Sequence, residues 1–226
     1  MADDTSPSAP AWTAVADAVQ VGPGTTVLDL GCGTGGFCAL AAARGAVVHG
    51  VDTLPDRIAV ARRRVPAGDF RVELMEQLPW ADGSFDVVAG FNAFQYALNV
   101  ELALTEARRV ARPGGRLAVC KYGRPADNEF FAFLAALDPS RLSLDRLSAG
   151  DAVERSIDRL GLGVIAMGEV ASVMHLADDA ALTSALASAG AVIGAAAQVA
   201  AAGAPYRRAD GGYRFENRLR YWIIGT

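Results

Sequence analysis

Residues 27–37 read VLDLGCGTGGF, where a short apolar run carries one acid, Asp29, and is followed by four glycines within six positions. An apolar run of this length before glycines predicts a buried strand and then a turn. Glycine at such a turn lets the backbone approach a ligand that any Cβ would keep away. Gly31, Gly33 and Gly36 form a GxGxxG pattern, which alone fits either a nucleotide site or a packing turn.

Strand-like and helix-like segments alternate on both sides of this stretch. The strand-like runs of the first half are TTVLDL, AVVHGVD, FRVEL, FDVVAGF and RLAVCKY, and the helix-like ones are FCALAAARG, PDRIAVARRRV and ELALTEARRVA. Repeated βα alternation predicts an α/β fold with a parallel, doubly wound sheet and helices on both faces. The PGG at 113–115 is predicted to end a helix and turn the chain into the strand RLAVC.

The alternation changes after Tyr122. Residues 123–150 read as helix and loop, DAVERSIDRLGL as a helix, VIAMGEVASVM as a strand, and YRFENRLRYWIIGT as a final strand after uncharged Ala-rich helices. We interpret this half as an elaboration around a pocket. A length of 226 residues favours one domain over 1–226, with an N-terminal tail and helix (1–24), a nucleotide-binding half (25–122) and a substrate-side elaboration with the final strands (123–226).

The composition excludes several classes of function. Hydrophobic residues make up 52% of the chain and charged residues 20%, the net charge is -4 and the pI is about 5.2. This acidic balance gives no cationic field for a polyanion, so we expect no nucleic-acid partner. Residues 180–205 carry no charge, but Ala, Gly, Ser and Thr dominate there, so we expect no membrane span. Three cysteines without a CxxC pair favour a reducing cytoplasm.

Two carboxylates restrict the ligand of the glycine turn. Asp29 precedes the turn, where an acid repels phosphate and attracts a cationic group such as an α-ammonium. Asp52 ends the next strand-like run, 21 residues beyond Gly31, where a carboxylate can accept hydrogen bonds from a ribose diol. Structural roles also fit, Asp29 as a partner of loop amides and Asp52 as a helix N-cap. We favour a nucleoside with a cationic tail.

With these features the sequence resembles the class I S-adenosylmethionine-dependent methyltransferases, in their small-molecule, methyltransferase type 11-like branch. The first motif of that family has the form of VLDLGCGTG, and an acid ends the second strand as in HGVD. The resemblance continues through LPWADGSFDVV and ARRVARPGGRLAV and spans about residues 25–122. It implies a Rossmann-like, mostly parallel seven-stranded sheet with an antiparallel last strand. It also implies S-adenosyl-L-methionine as the cofactor, which leaves as S-adenosyl-L-homocysteine.

The resemblance further implies a set of cofactor-binding residues. Asp29, Gly31, Cys32 and Gly33 would line the methionine end, Asp52 would bind the ribose, Thr53 and Leu54 would lie beside the adenine, Met75, Glu76 and Gln77 would border its edge, and Asn92 would offer its carbonyl to the ammonium. Cys32 is expected to be a small turn residue that presents its N–H. One position departs from the family, because Leu74 stands where many relatives have an acid. Adenine recognition would then rest on backbone groups or on Glu76.

The substrate-side candidates follow the strand ends or lie in the N-terminal helix, and they are Trp12, Gln95, Tyr96 and Tyr122. Trp12 would cover the cofactor or cap the core. The surrounding segments are rich in Ala, Leu and Phe, so we expect an apolar small-molecule methyl acceptor. Whether this acceptor belongs to secondary metabolism is left open. A sulfonium methyl group is already activated, so in-line alignment of the acceptor with this methyl group can suffice for the transfer. No catalytic residue is therefore assigned. His49 and His175 lie in no metal-ligand spacing, and no metal is expected.

Two other functions stay open at this stage. The chain could bind S-adenosylmethionine without transferring its methyl group, as an accessory protein or a cyclase-type enzyme, because a fold and a cofactor motif do not fix the reaction. An NAD-dependent oxidoreductase shares the glycine pattern, but Asp29 and the LPWADGSFD block disfavour it. The sequence leaves a monomer and a homodimer equally open.

Overall fold

The computed structural model describes residues 6–138, 145–189 and 196–226, so parts of the predicted tail, of the 123–150 segment and of the Ala-rich region lie outside it. The strands are β1 (Thr26–Leu30), β2 (Val47–Asp52), β3 (Asp69–Val72), β4 (Phe85–Phe91), β5 (Ala111–Tyr122), β6 (Val164–Leu176) and β7 (Tyr213–Gly225). They form one seven-stranded sheet in the order β3-β2-β1-β4-β5-β7-β6. Strands β1 to β5 pair in parallel, and β7 lies antiparallel between β5 and β6.

This topology confirms the predicted Rossmann-like α/β fold with an antiparallel last strand. The strand order reverses between β1 and β4, and in open α/β sheets the crevice at such a switch point is where ligands bind. Residues that follow β1, including Gly31, and residues that follow β4, including Ala93, therefore meet at one edge of the sheet. The glycine turn lies at this crevice.

Helices cover both faces of the sheet. They are α1 (Ala9–Ala18), α2 (Gly36–Ala43), α3 (Pro55–Arg64), α4 (Val100–Val110), α5 (Glu129–Leu137), α6 (Asp145–Arg159), α7 (Asp179–Ser188) and α8 (Ala196–Gly203), with short 3-10 helices at Phe94–Tyr96, Pro125–Asp127 and Ala204–Tyr206. Because side chains alternate along a strand, Val27 packs with α1, α2 and α3, whereas Leu28 packs with α4 and α6 on the opposite face.

A separate cluster lies beyond the sheet faces. Helices α5, α7 and α8 pack around Tyr213 and Phe215 of β7 and share no buried residue with the two clusters on the sheet faces. The start of α5 is fixed to β7 by side-chain amides. Asn128 Oδ1 accepts the N–H of Arg218 at 3.0 Å, and Asn217 Oδ1 accepts the N–H of Phe130 at 3.1 Å. The elaboration is thus joined to the sheet by hydrogen bonds of two buried asparagine side chains.

The predicted helix end at PGG is wrong in its position. Helix α4 already ends at Val110, and Ala111 pairs with Phe85 as the first residue of β5. The next pair in the ladder is Val87 with Arg116, so residues 112–115 bulge out of the strand, with Gly114 at φ +78°. The bulge exists because four residues separate the two ladder pairs on β5, whereas only one residue separates them on β4. Within the described residues, no helix has the length and apolar character needed to cross a bilayer.

Candidate cofactor site at the carboxyl ends of the strands

The glycines of the turn after β1 serve different purposes. Gly31, Gly33 and Gly35 have left-handed φ values of 67°, 54° and 79°. A Cβ on Gly31 would lie 2.7 Å from the Cβ of Ala93, so the protein's own packing already excludes a side chain there. A Cβ on Gly33 would meet no atom within 4 Å. Gly33 is therefore the glycine of this turn that faces open space, as a ligand-binding loop requires.

Gly36 is required by packing rather than by a ligand. A Cβ at this position would lie 2.2 Å from the Trp12 ring of α1. Trp12 is part of the cluster that contains α2 and Val27. Trp12 thus packs on the core, and this contact explains the third glycine of the GxGxxG pattern.

Asp29 is a buried acid, and only one of its two carboxylate oxygens has a hydrogen-bond partner. The residue is 3% exposed, and its Oδ2 lies 3.6 Å from the Cys38 thiol, which donates to it. Its Oδ1 is buried and has no hydrogen-bond partner. Burial above all, with the neighbouring carboxylate of Asp52, raises the pKa of Asp29 to about 8, and the hydrogen bond from Cys38 opposes this shift. Such an atom requires either a proton or a cationic or hydrogen-bond-donating ligand.

Asp52 holds the turn in place. The residue is 7% exposed, its Oδ2 accepts the N–H of Gly33 at 2.9 Å, and its Oδ1 accepts the N–H of Leu54 at 3.0 Å. The N-cap position of α3 belongs to Leu54, so Asp52 does not cap that helix. Each carboxylate oxygen can accept more than one hydrogen bond, so these two contacts leave capacity for two ribose hydroxyls.

The expected role of the Cys32 N–H is wrong. This N–H donates to the carbonyl of Val51 at 2.8 Å, because the chain continues the β1–β2 pairing for one residue beyond the strand. The Cys32 thiol fills the space beside Gly50, where a Cβ would lie 2.9 Å from the sulfur. Burial raises the pKa of the Cys32, Cys38 and Cys120 thiols, in keeping with packing roles for all three.

The residues expected around the adenine lie on two neighbouring loops. Thr53 and Gln77 are exposed, Leu54 is 48% exposed and Leu74 is 43% exposed. Met75 is half-buried and packs toward the cluster that contains α4. Large apolar side chains that are exposed beside a cleft are suited to a flat aromatic ring.

Glu76 is already engaged with the backbone. Its Oε1 accepts the N–H of Leu98 at 2.6 Å and that of Asn99 at 3.2 Å. This carboxylate therefore ties the loop after β3 to the start of α4, whose N-cap is Asn99. Of the two adenine contacts left open by Leu74, this arrangement favours backbone groups over Glu76.

Asn92 has an uncommon backbone conformation. Its φ is 51°, a region that residues other than glycine enter mainly at turns and functional sites. Its N–H donates to the carbonyl of Cys120 at 2.7 Å, and its Oδ1 accepts the N–H of Tyr122 at 3.0 Å. Asn92 thus joins the carboxyl ends of β4 and β5 on the far side of the crevice from Asp29.

The substrate-side candidates differ in exposure. Tyr96 is 75% exposed, whereas Gln95 is half-buried, with an Oε1 atom that is buried and has no hydrogen-bond partner. Tyr122 packs edge-on against Phe131 of α5, with 5.3 Å between ring centroids. Burial raises the pKa of Tyr122, and a hydrogen bond with Ser172 opposes this effect.

Sequence reasoning missed the purpose of the LPWADGSFD block. Arg109 of α4 donates to the carbonyls of Leu78 and Trp80 at 3.1 and 2.8 Å, and it pairs with Asp82 and Glu106. Arg109 therefore holds the first part of the block, from Leu78 to Asp82. Glu106 lies three residues before Arg109 on the same helix, a spacing that brings the two side chains together. This spacing is the sequence signal that predicts their ion pair.

Asp86, the last acid of the same block, also has a structural role. It accepts the N–H and the hydroxyl of Thr26, both at 2.7 Å, at the edge of the sheet opposite the cleft. No cluster of three or more His, Cys, Asp or Glu residues within the described ranges could hold a metal ion. His49 packs edge-on against Trp80 and Phe85, and its Nδ1 lies 3.6 Å from Asp69 Oδ2.

Residues 28–119 match the model of the methyltransferase domain family. The match over residues 28–119, the glycine turn and the strand order support a class I S-adenosylmethionine-dependent methyltransferase, and the cofactor implied is S-adenosyl-L-methionine. The geometry fits this cofactor, because Asp29 offers an unpartnered acceptor to a cationic group and Gly33 faces open space.

The chain is similar to demethylmenaquinone methyltransferase of Thermus thermophilus, with 38% identity over 110 residues that cover 46% of this chain and 50% of the relative. It spans about half the length of the curated relatives it matches. Among solved structures, an S-adenosylmethionine-dependent methyltransferase from Aquifex aeolicus matches 99% of this chain and 94% of its own, with a TM-score of 0.58 and 16% identity. The [4+2]-cyclase SpnF matches 93% of this chain and 80% of its own, with a TM-score of 0.57 and 18% identity. These two likenesses show the fold alone.

Proposed function

We propose that the protein transfers the methyl group of S-adenosylmethionine to an apolar small molecule. The observation that carries this proposal is the buried, unpartnered Oδ1 of Asp29 beside a glycine turn that Asp52 holds open. An acid at this point favours a cationic nucleoside and disfavours the diphosphate of NAD. When bound, the cofactor supplies a methyl group that its sulfonium already activates.

We propose the following division of tasks among the cofactor-binding residues. Asp29 attracts the cationic tail, and Gly31, Cys32 and Gly33 form the wall beside it. Asp52 accepts the ribose hydroxyls, while Thr53, Leu54, Met75, Glu76, Gln77 and Asn92 border the remainder of the nucleoside.

We propose that the acceptor binds between the crevice and the elaboration of the second half. Tyr122 and Phe131 form an aromatic wall there, and Tyr96 is exposed close to the same strand ends. Gln95 offers a buried polar acceptor, its Oε1, that lacks a donor within the described structure. The relative named for demethylmenaquinone supports a small molecule as the acceptor class. The chain's part in the reaction is then to align the acceptor and to exclude water, because no dedicated base is needed for an acceptor that is nucleophilic once desolvated.

Calorimetry tests the cofactor assignment. We expect S-adenosylhomocysteine to bind and NAD not to bind. Asp52→Ala should weaken binding at least tenfold, since it removes the ribose acceptor and the partner of the Gly33 N–H. Asp158→Ala is the matched control, because Asp158 is an exposed acid on α6. Binding of NAD without binding of S-adenosylhomocysteine would contradict the assignment.

Turnover tests the reaction. The protein is incubated with S-adenosylmethionine and a panel of apolar phenols, quinones and amines, with RNA as the comparison, and the release of S-adenosylhomocysteine is measured. Release that depends on a small molecule supports transfer, and turnover confined to RNA would overturn the proposed acceptor class. Binding without release for any acceptor favours the second candidate, a protein that uses the cofactor without transfer, a possibility the shared fold of a [4+2]-cyclase leaves open.

A further inference from the structure

We propose that Asp29 carries a proton in the free protein near neutral pH and loses it when a cationic nucleoside binds in the cleft. This inference rests on the proposed function and adds a proton to the binding step. The carboxylate would then be a proton-coupled element of cofactor binding rather than a fixed negative charge.

The surroundings of Asp29 disfavour its charged form. Its neighbours across the sheet are Gly50 on β2 and Ala89 on β4, and neither carries a polar side chain. From α2 it receives only the Cys38 thiol at 3.6 Å, which is a weak donor, and Oδ1 receives nothing. An ionised carboxylate in a site this poor in donors lacks the compensation that buried charges require.

The charged side chain that acts on Asp29 has the wrong sign to stabilise an anion. Asp52 of β2 acts on Asp29 as a like charge, and the Cys32 and Cys38 thiols contribute no positive charge. No Lys or Arg of the described chain is among the groups that alter the ionisation of Asp29. The pKa of about 8 agrees with this geometry. Two carboxylates that share one site commonly leave one of them protonated.

A cation that enters the crevice reverses this balance. An opposite charge within about 4 to 6 Å lowers a carboxyl pKa by about 1 to 3 units, enough to ionise Asp29 near pH 7. The proton then leaves to solvent and the charged pair remains. With a pKa of about 8, about nine in ten free molecules are protonated at pH 7, so binding should release close to one proton.

Two nucleosides that differ in the ammonium group show whether the cation causes the release of the proton. S-adenosylhomocysteine carries the ammonium, whereas 5′-methylthioadenosine has the same adenosine and thioether without it. Calorimetry in phosphate and in Tris at pH 7 measures the protons released, since the buffers differ in ionisation enthalpy. We expect S-adenosylhomocysteine to release about 0.8 proton at pH 7 and 5′-methylthioadenosine to release none, and we expect the affinity for S-adenosylhomocysteine to rise about fivefold from pH 6 to pH 7.

Variants assign the proton to its residue. Asp29→Asn should abolish the release while leaving weakened binding of S-adenosylhomocysteine, and Asp158→Asn should keep the full release. If Asp29→Asn does not fold, carbon NMR of wild-type protein labelled at the aspartate carboxyl groups decides the matter. One carboxyl should titrate near pH 8 in the free protein, and its pKa should fall when S-adenosylhomocysteine is added.

The outcomes distinguish this inference from the proposed function. Binding of S-adenosylhomocysteine without proton release, equal release with 5′-methylthioadenosine, or unchanged release in Asp29→Asn would each overturn the proton coupling and leave the cofactor assignment intact. Failure of S-adenosylhomocysteine to bind at any pH would overturn both.

Discussion

Gly33 and Gly24 share a backbone conformation but differ in their position relative to the cleft. Both have positive φ, and a Cβ on either would meet no atom within 4 Å. Alanine at either site should therefore cost about 1 to 2 kcal/mol of stability through the left-handed backbone alone. Gly24 lies before β1, at the opposite edge of the sheet. We predict that Gly33→Ala weakens binding of S-adenosylhomocysteine more than tenfold, whereas Gly24→Ala leaves it unchanged.

Calorimetry and thermal unfolding of the two variants check this prediction. Equal losses of stability would show that the backbone penalties match, so that any difference in affinity belongs to the cleft. Equal affinities would mean that the ligand does not approach Gly33.

The raised pKa of Asp29 makes the stability of the protein depend on pH. The folded chain holds a proton at Asp29 up to about pH 8, whereas the unfolded chain releases it near pH 3.8, so the folded state binds more protons between these values. Its contribution to stability is therefore fully present below pH 3.8 and is lost as pH rises toward 8. We predict that wild type loses about 1.4 kcal/mol per pH unit relative to Asp29→Asn between pH 5 and pH 7.

Urea unfolding of both proteins at pH 5 and at pH 7 measures this difference. The comparison between variants cancels the other titrating groups, because they are common to both. A difference in unfolding free energy that stays constant with pH would contradict a buried, protonated Asp29.

At the scale of elements, Arg109 determines how the loop before β4 is held. Its side chain is 29% exposed, and its guanidinium donates to two carbonyls of that loop in addition to Asp82 and Glu106. We predict that Arg109→Ala costs about 2 to 3 kcal/mol, since hydrogen bonds to charged groups are worth more than neutral ones. Arg108→Ala is the control, because Arg108 precedes it on the exposed face of α4, and it should change stability by about 0.5 kcal/mol or less. Chemical denaturation that gives equal losses would contradict this role.

The elements themselves could be predicted, because each strand and helix of the first half has a local hydrophobic period and ends at turn residues. VLDLGCGTGGF predicts β1, the turn and α2 correctly for this reason. The contacts that complete the site could not be predicted, because they join distant positions. Ala93 against Gly31 and Trp12 against Gly36 depend on how strands and helices pack, and no local pattern encodes them.

The exact boundaries of the elements and the hydrogen bonds of the loops could not be predicted from the sequence. The PGG was placed at a helix end, although ladder pairing of Ala111 with Phe85 takes precedence over the local turn signal. The engagement of the Cys32 N–H by Val51 and of Glu76 by Leu98 likewise follows from strand pairing and loop packing. These are tertiary effects that override local preference.

At the scale of the whole molecule, the hydrophobic cluster on α5, α7 and α8 should be less stable than the cluster that contains Leu28 and Leu117 at the centre of the sheet. The cluster around Phe133 and Leu182 draws on α5, α7 and α8 and contacts the sheet through the far part of β7, whereas Leu28 and Leu117 lie under helices in the centre of the sheet. We also propose that the whole chain is one domain, because strands from both halves share one sheet. A domain of this kind can still open in parts.

Native-state hydrogen exchange tests this difference. We predict that the amides of β1, β4 and β5 exchange only through global unfolding, whereas those of α5 and α7 exchange at a lower free energy and with a weaker dependence on denaturant. A single free energy of exchange for both sets would contradict it.

The contact of Trp12 with Gly36 gives the cleft an intrinsic fluorophore. The other two tryptophans lie elsewhere, Trp80 beside Phe85 and Trp222 beneath Lys121. In a variant with Trp80 and Trp222 replaced by phenylalanine, the emission would come from the Trp12 indole, which rests on Gly36, the residue where the glycine turn becomes α2. Its wavelength and quenching would then report the docking of the N-terminal helix in real time, without a label.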